Sequence, residues 1–168
     1  KLGKNEKEIL FQLDRDAFQS LKEIGKKIRK SPQFVEYWLK KFIKENYIKK
    51  FITIIDYKKL GYTYYHIYFE FIGINLKNED EFIKFCVTQP NVGTVYKSFG
   101  RWNIDIGIFA RDPIELHNLL KQINLKFGKF IKEFTIETHV GAYHLGRRYL
   151  TEREIELDFS NVAVTGAT

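Results

Sequence analysis

The hydrophobic pattern of the chain changes period once, close to residue 56. Before that point apolar residues return at helical spacing in three short stretches. Ile9, Leu10 and Leu13 stripe a helix expected over Asn5–Asp14. Leu21, Ile24 and Ile28 stripe a second over Leu21–Ile28. Val35, Leu39 and Phe42, with Ile43 beside them, stripe a third over Pro32–Glu45. Ser20 with Glu23 forms a capping box ahead of the second helix, the serine oxygen taking an orphan N–H while the glutamate reaches back. Ser31 followed by Pro32 opens the third, with serine at the cap and proline at the first helical position. The two starts lie so close that only a tight turn fits between the helices, the arrangement of a helix-turn-helix. Asn46 suits the left-handed conformation that ends a helix. Tyr47–Ile55 is β-branched and aromatic and reads as a strand, a wing with Lys49 and Lys50 at its start.

Past a polar connector, Asp56–Gly61, the pattern becomes strand, helix, strand, strand, helix, strand. The strands are expected over Tyr62–Ile72, Gly93–Phe99, Trp102–Ala110 and Lys132–Tyr143, with a turn at Gly100 and Arg101. The helices are expected over Asn78–Thr88, with Phe82, Phe85 and Cys86 on one face, and Ile114–Phe127, opened by Asp112 and Pro113. That order is the ferredoxin-like βαββαβ arrangement. The fold class is therefore α+β. Residues 1–55 form a winged helix-turn-helix domain, 56–61 a linker, 62–150 a ferredoxin-like domain, and 151–168 a tail or linker. With no methionine anywhere, even at position 1, and a weakly patterned end, the chain reads as a fragment of a longer protein.

Composition narrows the partners. The net charge is +7, and the surplus crowds into Lys26, Lys27, Arg29, Lys30, Lys40, Lys41, Lys44, Lys49 and Lys50, which favours a polyanion. One cysteine, Cys86, excludes an internal disulfide and fits a reducing cytoplasm; it reads as a small core residue. No apolar run approaches a membrane span, so no membrane partner is expected.

From about Ile9 to Tyr149 the chain resembles the Lrp/AsnC family, the leucine-responsive and asparagine-regulator group of transcription factors. The residues that carry the resemblance are Ile9, Leu10 and Leu13, Asp16-Ala17, Ser20 with Glu23-Ile24, Ser31 with Val35, and the run Leu39–Phe42. Ile48 and then Asp56 with Leu60-Gly61 continue it. The resemblance implies a DNA-binding regulator whose second domain senses a ligand and dimerises. Double-stranded DNA, a homodimer or higher oligomer of dimers, and an amino-acid-like effector at the dimer interface are then the expected partners. No cofactor is expected. The family often has arginine where Glu36, Tyr37 and Trp38 stand, and another where this chain has Phe18. Base reading would fall to Gln33, suited to adenine, and to Phe34 and Tyr37 against thymine methyls. Ser31, Lys40, Lys41, Lys44, Lys49 and Lys50 complete the expected DNA-binding set, the lysines holding phosphates without reading sequence. The plainer alternatives are a solvated lysine face and packing of Phe34, Tyr37 and Trp38. The family's effector loop resembles a G-x-x-D pattern, matched here by Gly100, Arg101, Trp102 and Asn103, followed by Asp105. Glycine permits a left-handed turn there, and Arg101 offers a charge-assisted bond to a carboxylate. Asn103 in place of aspartate removes a partner for an ammonium group, and an ordinary hairpin turn is the alternative.

Little points to catalysis. His66, His117, His139 and His144 fall in no metal-ligand spacing, and a single cysteine cannot complete a zinc site. No phosphate-binding loop, nucleophile elbow or zinc-protease motif occurs. The chain is read as no enzyme. Two other readings share the scaffold: a non-DNA-binding module that pairs with related regulators, and a sirohaem-decarboxylase-like enzyme using the basic His144–Tyr149 segment.

Overall fold

A computed structural model describes residues 1–152 and 162–166. The chain divides into two compact units, one of Lys1–Ile54 joined by the stretch that begins at Tyr143, the other of Ile55–Ala142 joined by residues 164–166.

The first unit is built on α1 (Lys4–Arg15), α2 (Leu21–Ile28) and α3 (Pro32–Lys44). The capping box at α2 is complete: Glu23 N–H donates to Ser20 Oγ at 3.2 Å, and Ser20 N–H donates to Glu23 Oε2 at 2.7 Å. The side-chain and backbone bonds from Ser20 hold the Glu23 carboxyl below its usual range. At α3, Phe34 N–H donates to Ser31 Oγ at 3.2 Å. Between the helices Arg29 takes the left-handed conformation, φ 56°, and Lys30 N–H donates to Gly25 O at 2.9 Å. A Cβ on Gly25 would lie 2.6 Å from Lys30 O, so a glycine inside α2 is what lets the turn fold back this closely. Ile9, Ile24, Val35 and Phe42 are fully buried where the three helices meet. These side chains fix α3 against α2 by apolar burial, each large one contributing about 1.5–3 kcal/mol.

Three features depart from the sequence expectation. Ile43 lies outside the core, 50% exposed. Tyr47–Ile55 forms no strand: Ile48 N–H donates to Phe42 O at 3.2 Å, closing the end of α3, and the chain then runs on without a ladder. The composition is β-prone, but among the described residues the backbone groups of 49–55 enter no ladder bond, and propensity alone does not supply a partner strand. Asn46 does take the left-handed conformation, φ 61°. Third, a segment from beyond the sheet strands contributes to this unit. Arg147 backbone N–H donates to Asp14 Oδ2 at 2.6 Å and its guanidinium pairs with the same carboxylate. Thr151 Oγ1 donates to Glu8 Oε2 at 2.8 Å, and Lys4 pairs with Glu152 at 2.8 Å. Residues 147–152 thus strap the outer side of α1.

The second unit is a four-stranded antiparallel sheet with two helices. Its elements are β1 (Thr63–Phe71), α4 (Leu76–Val87), β2 (Val92–Lys97), β3 (Ile104–Ala110), α5 (Pro113–Phe127) and β4 (Ile131–His139), and the strand order is β2-β3-β1-β4. Register pairs Ile67 with Ile106 and Ile136, and Phe69 with Ile104 and Phe134. Strand alternation then sends Ile67, Phe69, Ile104, Ile106, Ile108 and Ala110 to the helix side, where they bury against Phe82, Cys86, Leu119 and Ile123. Cys86 is a buried core residue whose thiol desolvation pushes up to about 12. The expected last strand is divided: β4 ends at His139, and a short β5 (Ala142–His144) pairs with β6 (Ala163–Thr165). Among the described residues no helix is long and apolar enough to cross a membrane.

Candidate nucleic-acid interface

With Val35 and Phe42 turned into the core, helical geometry sends Gln33, Tyr37, Lys40 and Lys44 to the other side of α3, where all are exposed. Tyr37 is 60% exposed and packs edge-on to Trp38 at 5.7 Å. Trp38 itself leans on the core against Phe34 and Phe42, so this aromatic mainly packs. Phe34 is half-buried in the same cluster, with Lys30 Nζ 5.7 Å from its ring. Ser31 is exposed, but its hydroxyl is engaged as the α3 cap.

The lysines fall into two groups. Lys40 holds Glu36 at 2.6 Å, which neutralises the carboxylate that would repel a phosphate. Lys41 lies 4.6 Å from the Trp38 ring and 3.9 Å from Glu45. Lys44, Lys49 and Lys50 are exposed and form no ion pair among the described residues, leaving their ammonium groups available to an anion. An exposed helical face bearing Gln33 and Tyr37, continued by these lysines, can present hydrogen-bonding and apolar groups to bases and cations to phosphates.

In the sheet unit the loop between β2 and β3 gathers Gly100, Arg101, Trp102 and Asn103. Gly100 has φ 149°, a conformation glycine alone adopts freely. Arg101 spans Glu133 with bonds of 3.3 and 3.4 Å and stacks on Trp102 at 4.6 Å. Asn103 braces the loop: its backbone N–H donates to Phe69 O at 2.8 Å, and its side-chain oxygen accepts from Phe71 N–H at 2.7 Å. Asp105 stands apart on the helix-free face of the sheet, its Oδ1 2.8 Å from His66 Nδ1.

That last pair belongs to a cluster that sequence reasoning missed. His66 Nε2 lies 3.1 Å from Tyr64 Oη, which lies 3.0 Å from Thr94 Oγ1, and His139 stacks on His66 at 4.4 Å. A Cβ on Gly107 would collide with the Tyr64 hydroxyl and Thr94, so the network lies flat only because that residue is glycine. Burial raises the Tyr64 phenol and lowers His139, the latter lowered further by His66. The signal in the sequence is the alternation of Tyr64, His66 and Tyr68 along one strand face. Asp105 and His139 join it only through register.

No family profile matches the chain. It is 29% identical over 124 residues to an uncharacterised HTH-type transcriptional regulator, PH1055, of Pyrococcus horikoshii, covering 73% of this chain and 77% of that protein. It is 27% identical over 123 residues to the HTH-type transcriptional regulator LrpB of Bacillus subtilis, covering 73% and 80%. Among solved structures, Escherichia coli AsnC superposes with a TM-score of 0.68 at 18% identity, covering 83% of this chain and 93% of that one. A transcriptional regulator of Neisseria meningitidis, solved as a complex with L-methionine, superposes with a TM-score of 0.71 at 13% identity, covering 83% and 90%. A helix-turn-helix with an exposed third helix, an antiparallel βαββαβ unit and sequence likeness to HTH-type regulators across nearly three quarters of its length together make this chain a DNA-binding transcriptional regulator similar to the Lrp and AsnC regulators.

Proposed function

We propose that the chain acts as a homodimer, or a ring of dimers, in which the sheet units pair and set the distance between two copies of α3. The carrying observation is the exposed face of α3, with Gln33 and Tyr37 outward and Lys44, Lys49 and Lys50 without ion-pair partners among the described residues. Gln33 and Tyr37 read bases, and the lysines hold the phosphates on either side. Half-sites then lie about one DNA turn, roughly 34–36 Å, or a multiple of it apart. The helix-free side of the sheet, lined by Tyr64, His66, Tyr68 and Phe109, is the surface through which the copies pair.

The loop holding Gly100, Arg101 and Trp102 is the proposed effector site, with the Arg101 guanidinium taking the carboxylate of an amino-acid-like ligand in competition with Glu133. The methionine complex of the Neisseria relative supports that ligand class. A ligand that binds one dimer spacing better than another shifts the population and so the DNA affinity. Selection of genomic DNA fragments with the purified chain at stated salt, run beside sizing chromatography, tests the whole reading. Enrichment of fragments bearing paired half-sites is the expected result. An oligomer that retains no DNA would favour a module that pairs with related regulators instead.

A further inference from the structure

One large side chain of the helical unit belongs neither to its core nor to the exposed face of α3. Phe18, in the loop between α1 and α2, is 99% exposed. The loop that carries it is nonetheless fixed. Phe18 N–H donates to Asp16 Oδ1 at 2.9 Å, while Gln19 Nε2 donates to Gln12 O at 2.8 Å and to Asp16 O at 2.9 Å. Lys27 of α2 reaches the same glutamine, and the Ser20–Glu23 capping box closes the loop where α2 begins. An apolar ring held out in water by a braced loop keeps its whole hydrophobic contribution for a contact outside the unit.

The neighbouring charges point to DNA as that contact. Along α2, Ile24, Gly25 and Ile28 face the core, whereas Lys22 and Lys26, one turn apart, are exposed. Arg29 and Lys30 continue the row into the turn before α3. None of these four enters an ion pair among the described residues. When the second helix of such a motif lies in the major groove, the first crosses the phosphate backbone, and a row of unpaired cations suits that crossing. With eight residues α2 spans about 12 Å. Its C-terminal end meets α3 at the major groove, so its N-terminal end comes to the far side of the backbone, at the edge of the next minor groove. Phe18 stands at that end, just ahead of the Ser20 cap. The loop is poorly suited to phosphate, because Asp16 and Glu23 place two carboxylates there. An apolar ring suits the groove itself, where sugars and base edges lie between the phosphates.

We infer that Phe18 is an apolar wedge for the minor groove flanking each half-site. The inference rests on the placement of α3 proposed above. A wedge of this kind partly unstacks one base step and kinks the duplex, and pyrimidine–purine steps yield most easily. Phe18 thereby selects DNA at positions α3 does not touch, by deformability rather than by hydrogen bonds.

Binding and bending of a selected DNA fragment test it, using the full chain and its variants, with the bend read by energy transfer between dyes at the two DNA ends. Phe18→Ala should weaken binding about tenfold, the loss of one aromatic contact with the bases, and should straighten the bound duplex. Its salt slope should match that of the unaltered chain, because a phenyl ring displaces no counterions. Its thermal midpoint should also be unchanged, since the folded unit leaves the ring exposed. Replacing a flanking TA or CA step by AA should weaken the unaltered chain and leave Phe18→Ala indifferent. Gln33→Ala serves as the control, expected to blur discrimination between half-site sequences while the bend persists. A Phe18→Ala chain with full affinity and full bend, beside a Gln33→Ala chain that loses discrimination, would overturn the wedge and leave α3 in its groove. Undiminished discrimination by Gln33→Ala and Tyr37→Ala together would overturn the placement of α3 and the wedge with it.

Discussion

His139 shows how much one side chain's surroundings matter on the helix-free face of the sheet. Desolvation and then the facing imidazole of His66 lower its pKa, outweighing the pull of Glu137 and Asp105. A histidine harder to protonate when folded than when unfolded binds fewer protons in the native state. Its contribution is therefore present above the unfolded value of about 6.5 and is lost as pH falls through the folded one. Thermal unfolding followed at pH 7.5 and 5.5 should show a drop in midpoint on acidification. His139→Gln should make that drop smaller, and an unchanged drop would locate the acid sensitivity elsewhere. The chain read as a string hides this pair, because His139 and His66 are far apart in sequence and meet only when β4 lies beside β1. Gly25 escapes notice for a similar reason: a glycine in a helical stretch looks like a weakness until the backbone of Lys30 is seen packed over it.

At the scale of elements, the helices are the most legible because their signals are local. Ser20 with Glu23, Ser31 with Pro32, and Asp112 with Pro113 mark their starts, and each cap is present. The sheet is nearly as clear, since period-two alternation and a hydrophobic face constrain strands over a whole segment. Tyr47–Ile55 misleads because strand propensity reports only fitness for a pleated surface, not the availability of a neighbour. The exposed side of α3 is legible as a stripe, but not which lysines are already engaged by Glu36, Glu45 and Trp38. That distinction has a measurable consequence. Replacing Lys44 and Lys49 by alanine should weaken binding to all DNA sequences alike. It should also make the slope of log K against log salt shallower by about 0.9 for each phosphate no longer held. A slope equal to that of the unaltered chain would mean this face does not meet the phosphates.

At the scale of the molecule, the division of labour between a helical unit and a sheet unit follows from the change of period near residue 56. What the pattern does not reveal is that the helical unit draws on residues from either side of the sheet strands. Asp14, Glu8 and Lys4 of α1 are held by Arg147, Thr151 and Glu152. Such long-range polar pairs leave no periodic trace, because each joins two surfaces far apart in sequence. A chain ended after His144 should therefore lose stability first in the helical unit, seen as faster amide exchange in α1 than in β1. Equal exchange in the two would show that the strap carries no weight.

The same strap bears on synthesis. Because α1 leaves the ribosome before the sheet strands and Arg147 only after them, its outer side stays incompletely dressed until those strands have been made. A nascent chain cannot finish its helical unit before the sheet strands are at hand, so folding is ordered by the peptide's own connectivity.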